Sequence, residues 1–177
     1  TGVSLMQLDE GMDTGPVALV NRLAIETNDT AATLHDKLSI LGAETLASGL
    51  AKLADNALRF LPQDHAHATH ARPLSKADGE LDWSMDPRQI VHRFRGMTPW
   101  PGCRAMVRGE HLKIIEMTLG EGQGKTGQLL SVDQDGMTVA CGEGALRFRR
   151  VQRPNRGPVS ALEYVRAMKL EPGDSLL

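Results

Sequence analysis

Apolar positions along the chain come first as two short runs and then at helical spacing. Val3 to Leu8 reads as a strand, and Val17 to Ile25 reads as a second one beyond a stretch of carboxylates and glycines. Asn28-Asp29-Thr30 reads as a helix start, with Asp29 able to cap the free donors of the first turn. Leu34, Leu38 and Leu41 follow at helical spacing, and Leu46, Leu50 and Leu53 repeat the i, i+4, i+7 pattern. Gly42 and Gly49 weaken that helix by about 1 kcal/mol each relative to Ala, or else mark close packing against a neighbour. Two strands and one helix cannot enclose a core without partners. The first part is therefore expected to be incomplete.

The pattern then breaks. Pro62 to Pro73 has no apolar period and reads as an extended linker bounded by prolines. Asp86-Pro87 opens a second helix with Pro87 at its favoured first position, and Ile90, Val91 and Phe94 form its apolar face. Pro99-Trp100-Pro101-Gly102 ends it. Five strand-like runs follow: Cys103 to Val107, Leu112 to Met117, Gly127 to Val132, Met137 to Cys141 and Ala145 to Val151, with Gly-rich or acidic turns between them. Such spacing suits a small barrel, and an OB-like one is the nearest fit. A last helix is expected from a Ser160 cap through about Lys169. The fold class read from these elements is an α/β fragment over 1–56, a linker over 57–74, and an OB-like β-barrel domain with flanking helices over 75–177.

Composition adds a charge asymmetry. The net charge of −2 hides an acidic front and a basic rear. Between Ala145 and Lys169, Arg147, Arg149, Arg150, Arg153, Arg156, Arg166 and Lys169 stand against the single acid Glu163, which hints at a polyanionic partner. In a strand Arg147 and Arg149 share one face, alternating with Leu146 and Phe148. That suits phosphate contacts rather than base reading, and aromatics at 3% argue against a base-stacking surface. The alternative is a solvated basic strand. Trp83 and Trp100 read as core at a domain interface. Cys103 and Cys141 match no metal spacing and read as buried free thiols of a reducing cytosol, with one disulfide as the alternative. His65, His67 and His70 lie in the linker with no element to fix them, so no metal is expected. The Gly-x-Gly runs sit in hairpin turns, which excludes a dinucleotide fingerprint. No apolar run reaches membrane-span length and no leader is recognisable, so a cytoplasmic protein is expected.

The candidate chemistry lies at the front. Asp9-Glu10-Gly11-Met12-Asp13-Thr14-Gly15-Pro16 follows the first strand, the place where α/β sheets put functional groups; an ordinary acidic hairpin turn is the plain alternative. This loop, Thr33-Leu34-His35-Asp36-Lys37-Leu38, Leu74 to Ser84 with its Asp82-Trp83, Pro99-Trp100-Pro101-Gly102 and Pro172-Gly173 resemble the folate-dependent formyltransferases. Within them the likeness is to the methionyl-tRNA formyltransferases, in order along essentially the whole chain. The resemblance implies that the front is the end of a Rossmann-like formyltransferase domain and the rear a tRNA-binding domain.

The same resemblance implies 10-formyltetrahydrofolate as formyl donor and initiator methionyl-tRNA as acceptor. It implies a role in translation initiation and a monomer when complete. It makes Asp13 the catalytic carboxylate, and the backbone at Asp9, Glu10, Gly11 and Met12 the place where the pterin ring hydrogen-bonds, with Gly11 leaving room for a flat ring. It sets Lys76 and the arginines Arg147, Arg149, Arg150 and Arg153 on tRNA. One departure is Pro16, which glycinamide-ribonucleotide formyltransferases share. An Asn and a His, in an Asn-x-His-Gly-Ser run, belong to the family upstream of this loop and are not in this sequence, so the chain is expected to be the back part of a longer enzyme. Two other readings stay open: a different folate-dependent formyltransferase or hydrolase, and a non-catalytic RNA-binding OB module.

Overall fold

The computed structural model describes all residues from Thr1 to Leu177, in two compact units divided between Pro73 and Leu74. In the first, β1 (Gly2–Met6) and β2 (Val17–Arg22) form an antiparallel hairpin against α1 (Ala31–Ala54). Thr30, rather than Asp29, caps α1: its hydroxyl accepts from Thr33 N while Thr33 Oγ1 accepts from Thr30 N. Asp29 instead ties the approach to the helix, accepting from Glu26 N at 2.8 Å, Thr33 Oγ1 at 2.8 Å and Lys37 Nζ at 2.7 Å. These donors, Lys37 foremost, lower its pKa from 3.8 to about 2.

The packed face of α1 runs through half-buried Leu34, Leu38 and Leu41 to buried Thr45 and Gly49. Gly49 is the close-packing glycine, since a Cβ there would meet Leu5 Cδ2 at 2.2 Å; Gly42 has nothing within 4 Å. Leu46, Leu50 and Leu53 fall about 100° around the axis from that face and stand half exposed or more. The second leucine repeat therefore does not continue the first. Thr45 pins helix to hairpin, accepting from Asn21 Nδ2 at 2.7 Å and donating to Leu41 O at 2.6 Å.

The stretch expected as a linker is attached along part of its length. Leu61 exchanges backbone hydrogen bonds with Val17 at 2.9 Å each way, and Gln63 reaches the Asp13–Gly15 turn. A 3-10 turn, His65–His67, follows, capped by Asp64.

The second unit opens on another 3-10 turn, Lys76–Gly79, then α2 (Pro87–Met97) with Asp86 as N-cap and Pro87 in the first turn. Its strands are β3 (Cys103–Val107), β4 (Glu110–Gly120), β5 (Leu129–Asp133), β6 (Gly136–Cys141), β7 (Gly144–Gln152) and the short β8 (Val159–Ser160). The helix α3 (Ala161–Met168) has Ser160 as N-cap, in a box with Glu163.

The antiparallel sheet runs β3-β4-β7-β6-β5, with β8 on β7. It is not closed: β5 has no ladder back to β3, so the hydrogen-bonded barrel expected from strand spacing is not formed. The tail spans the gap instead. Leu176, fully buried, accepts from Arg108 N beyond β3 and donates to Gly127 O before β5. Every buried hydrophobic side chain of the protein lies between Leu81 and Leu176. Trp83 is one of them, tilted against Phe148 with ring centroids 5.7 Å apart, whereas Trp100 is 57% exposed and outside any core. Cys103 and Cys141 are buried free thiols, each pushed by burial up to about 11. No helix is long and apolar enough to cross a membrane.

Candidate functional site

Two places carry chemistry, one in each unit. In the first unit the loop between β1 and β2 holds the expected carboxylates. Asp9 is spent on the loop itself: its Oδ1 accepts from Gly11 N at 3.0 Å and from Thr14 Oγ1 at 2.6 Å. Gly11 has an internal reason too, because a Cβ there would fall 2.0 Å from Thr14 Oγ1. Thr14 thus packs where that side chain would stand. Glu10 is exposed, and Met12 and the neighbouring Leu8 are each 86% exposed, an apolar pair flanking a polar turn.

Asp13 sits at the tip in the left-handed region, with φ 55°. Such a conformation is uncommon outside Gly and is tolerated by Asp. Gln63 clamps it there, donating from Nε2 to Asp13 O at 2.8 Å and to Gly15 O at 2.7 Å. The Asp13 carboxylate makes no hydrogen bond within the chain and lines an open groove of about 990 Å³ with Ser4, Thr14, Val20, His65 and His70. It is exposed on a held backbone, so a partner supplied from elsewhere can reach it. Sequence reading missed Gln63; its only signal is its place just after Pro62, where the chain returns to the loop.

In the second unit, the expected basic residues separate into two groups. Along β7, Leu146 and Phe148 point inward and Arg147 outward, as alternation requires. The ladder to β4 then slips: Met117 faces Phe148 while Glu116 faces Arg150, leaving Arg149 as the extra residue of a bulge. Both Arg149 and Arg150 are therefore exposed. Arg147 is held by Asp133 and by Thr138 Oγ1 at 3.0 Å, and Arg150 pairs with Glu116 at 3.2 Å. Arg149 has no such partner. Arg147 holds the Asp133 carboxyl below its usual range.

Lys76 and Arg153 come together away from these. With Arg104, His111 and Lys113 they line a pocket of about 360 Å³ that also takes in Gly102, Gln152 and Asn155. Arg153 pairs with Glu110 at 3.0 Å, and Arg104 with Glu80. Neither Arg104 nor Lys113 stands out in the sequence, because only the register between strands brings them beside Lys76. No group of three or more His, Cys, Asp or Glu side chains is arranged to hold a metal ion. His67 is engaged with Asp64 at 2.9 Å.

The family model for the formyl transferase C-terminal domain matches residues 73–169. Among curated proteins, the chain is 39% identical over 173 residues to the methionyl-tRNA formyltransferase of Geobacter metallireducens, covering 98% of this chain and 56% of that protein. It is 41% identical over 160 residues to the methionyl-tRNA formyltransferase of Pseudomonas paraeruginosa, covering 90% and 52%. The chain thus spans about half the length of these relatives. Among solved structures, HypX from Aquifex aeolicus superposes with a TM-score of 0.73 at 17% identity, over 98% of this chain and 31% of that one. The N-formyltransferase from Helicobacter canadensis, in complex with folinic acid and dTDP-3-aminofucose, superposes with a TM-score of 0.65 at 17% identity, over 86% and 55%. At those identities the likeness is one of fold.

Proposed function

The chain belongs to the formyl transferase C-terminal-domain family, and from that premise we propose that it serves an enzyme transferring a formyl group from 10-formyltetrahydrofolate to the α-amino group of methionyl initiator tRNA. The observation that carries the choice of acceptor is the 39% identity to a methionyl-tRNA formyltransferase across nearly the whole chain. The first unit supplies part of the transfer site and the second unit binds the RNA. Translation initiation in the cytoplasm is the setting this reading implies.

Formyl transfer to an amine needs the formyl carbon held near the nucleophile, charge on its oxygen stabilised, and a proton taken from the amine. Asp13 is the residue of this chain that serves these steps through a histidine. Its carboxylate holds an imidazole in orientation and favours the charged form, since an opposite charge at close range raises a His pKa. The clamp from Gln63 to the carbonyls of Asp13 and Gly15 holds the backbone that carries that carboxylate. The loop from Asp9 to Met12 is the folate contact: exposed Leu8 and Met12 offer apolar surface to a flat ring, and Asp9 keeps the turn in shape. On the RNA side, Lys76 and Arg153 sit in one pocket and Arg149 is unpaired. Arg147 and Arg150 are held by carboxylates and contribute less.

The test is acceptor choice. The full gene product, given 10-formyltetrahydrofolate, is expected to formylate methionyl initiator tRNA and to leave amino-sugar nucleotides and glycinamide ribonucleotide unformylated. Formylation of one of those in preference to the charged tRNA would overturn the assignment.

A further inference from the structure

The sheet of the second unit leaves a gap between β3 and β5, and residues 173–177 fill it as an added segment. Leu129 exchanges backbone hydrogen bonds with this segment, donating to Asp174 O at 2.8 Å and accepting from Gly173 N at 2.7 Å. Leu176 N donates to Gly127 O at 2.8 Å, and Gln128 bridges antiparallel to Ser175. On the far side Arg108 N donates to Leu176 O at 2.9 Å. One short stretch of chain thus reaches both edges of the sheet, in the way an extended peptide adds to an unpaired strand.

Side-chain contacts alternate along the segment. Asp174 and Leu176 are two residues apart, the spacing of one face of a strand. The Asp174 carboxylate takes Arg108 Nη2 at 3.1 Å, and Leu176 is fully buried in the cluster that holds Val107 and Leu129. Ser175 between them is exposed, and Arg108 Nε donates to its carbonyl at 3.3 Å. Gly127, at φ +78°, presents bare backbone to the segment, since a Cβ there would fall 2.4 Å from Leu177 Cγ. The hold is local. The segment arrives through a turn in which Asp174 N donates to Glu171 O at 3.0 Å, with Pro172 second and Gly173 third at φ +104°. Residues 171, 172, 173, 175 and 177 are exposed, so Leu176 alone carries the apolar anchorage. Arg108 and Asp174 are each more than a third exposed, and such pairs hold weakly. Against these contacts stands the freedom that the ordered residues regain on release. Release is thus a far smaller event than unfolding of the sheet, whose β6 is buried throughout.

We infer that the gap between β3 and β5 is a peptide-binding slot, and that residues 173–177 are its tethered occupant, a strap that detaches while the sheet stays folded. The ligand class is an extended peptide with a carboxylate two residues before a leucine. The slot stands apart from the formyl-transfer reading and does not depend on it.

Two measurements on the 177-residue chain test this. The first is amide exchange of the parent. The N–H groups of Arg108, Leu129, Gly173 and Leu176 bridge strap and slot. They should exchange as one group, at least about tenfold faster than the amides of β6 and β7 and with little dependence on low denaturant. Exchange of that group in step with β6 and β7 overturns the strap. The second measurement follows a labelled peptide of residues 171–177 by fluorescence anisotropy. Leu176→Asp, which expels the strap, should bind the peptide at least about tenfold more tightly than the parent, whose own segment competes at high effective concentration. Leu176→Ala, which removes only the anchor, should shift affinity in the same direction. A peptide that itself carries Leu176→Asp should bind none of the three chains. A variant that melts cooperatively yet binds the peptide no better than the parent overturns the slot. Should neither variant melt cooperatively, amide exchange in the parent decides alone.

Discussion

The two units are built on opposite terms. Residues 74–177 enclose a core of their own, from Leu81 on the approach to the sheet to Leu176 in the tail. Residues 1–73 enclose almost nothing: the buried side chains are Asp29 and Thr45, both polar, and leucines of α1 stand in the open. The hydrophobic term therefore carries the second unit, while the first depends on a few directed hydrogen bonds. Candidate chemistry follows the same division. In the first unit a carboxylate stands exposed on a backbone held by Gln63; in the second a sheet arranges long cationic side chains by register.

The sharpest break between the units is in what truncation costs. Phe148→Ala should destabilise the second unit by about 3–5 kcal/mol, the range for a buried aromatic. Leu50→Ala, at a residue 57% exposed, should change stability by about 0.5 kcal/mol or less. Denaturant titration of both variants checks this, and equal losses would erase the distinction. Next in size is Thr45→Val, which leaves Asn21 without its partner at the helix–hairpin contact. A cost of about 1–3 kcal/mol is expected, with faster amide exchange in β2 and α1 and unchanged exchange in β6 and β7.

The smallest effect is a titration. Asp29 has its pKa lowered to about 2 against 3.8 unperturbed, so its unfolded form binds the proton more readily. Its contribution is fully present above about pH 4 and is lost as the pH falls through 2. Carboxyl NMR should place the Asp29 midpoint near 2, and Lys37→Gln, which removes the largest cause, should move it upward. A midpoint near 3.8 in the parent would mean that the Asp29–Lys37 contact is not formed in solution.

Much of the fold was legible because it is local. Ser160 and Pro87 start their helices where capping chemistry says, and five of the six strands of the second unit fall on their apolar runs. What failed to show was set by distant parts of the chain. The sheet is bridged by Leu176, residues after the last strand, and no local pattern announces a tail that inserts between two edges. Asp29 looked like a cap, but Thr30 takes that role through Thr33, freeing Asp29 for Lys37. Alternation suggested one face for Arg147 and Arg149; the bulge turned Arg150 outward as well. At the candidate site the acidic loop could be read directly, while the Gln63 clamp and the Arg104–Lys113–Gln152 row could not, since each needs residues brought together by pairing.

The most direct test of the functional account is the single-turnover rate of formyl transfer to methionyl initiator tRNA, measured on the full gene product and its Asp13→Asn variant at saturating folate and tRNA. A carboxylate that orients and charges the catalytic imidazole predicts a fall of about 10²–10⁴-fold, with tRNA affinity unchanged. A rate within a few-fold of the parent would contradict it.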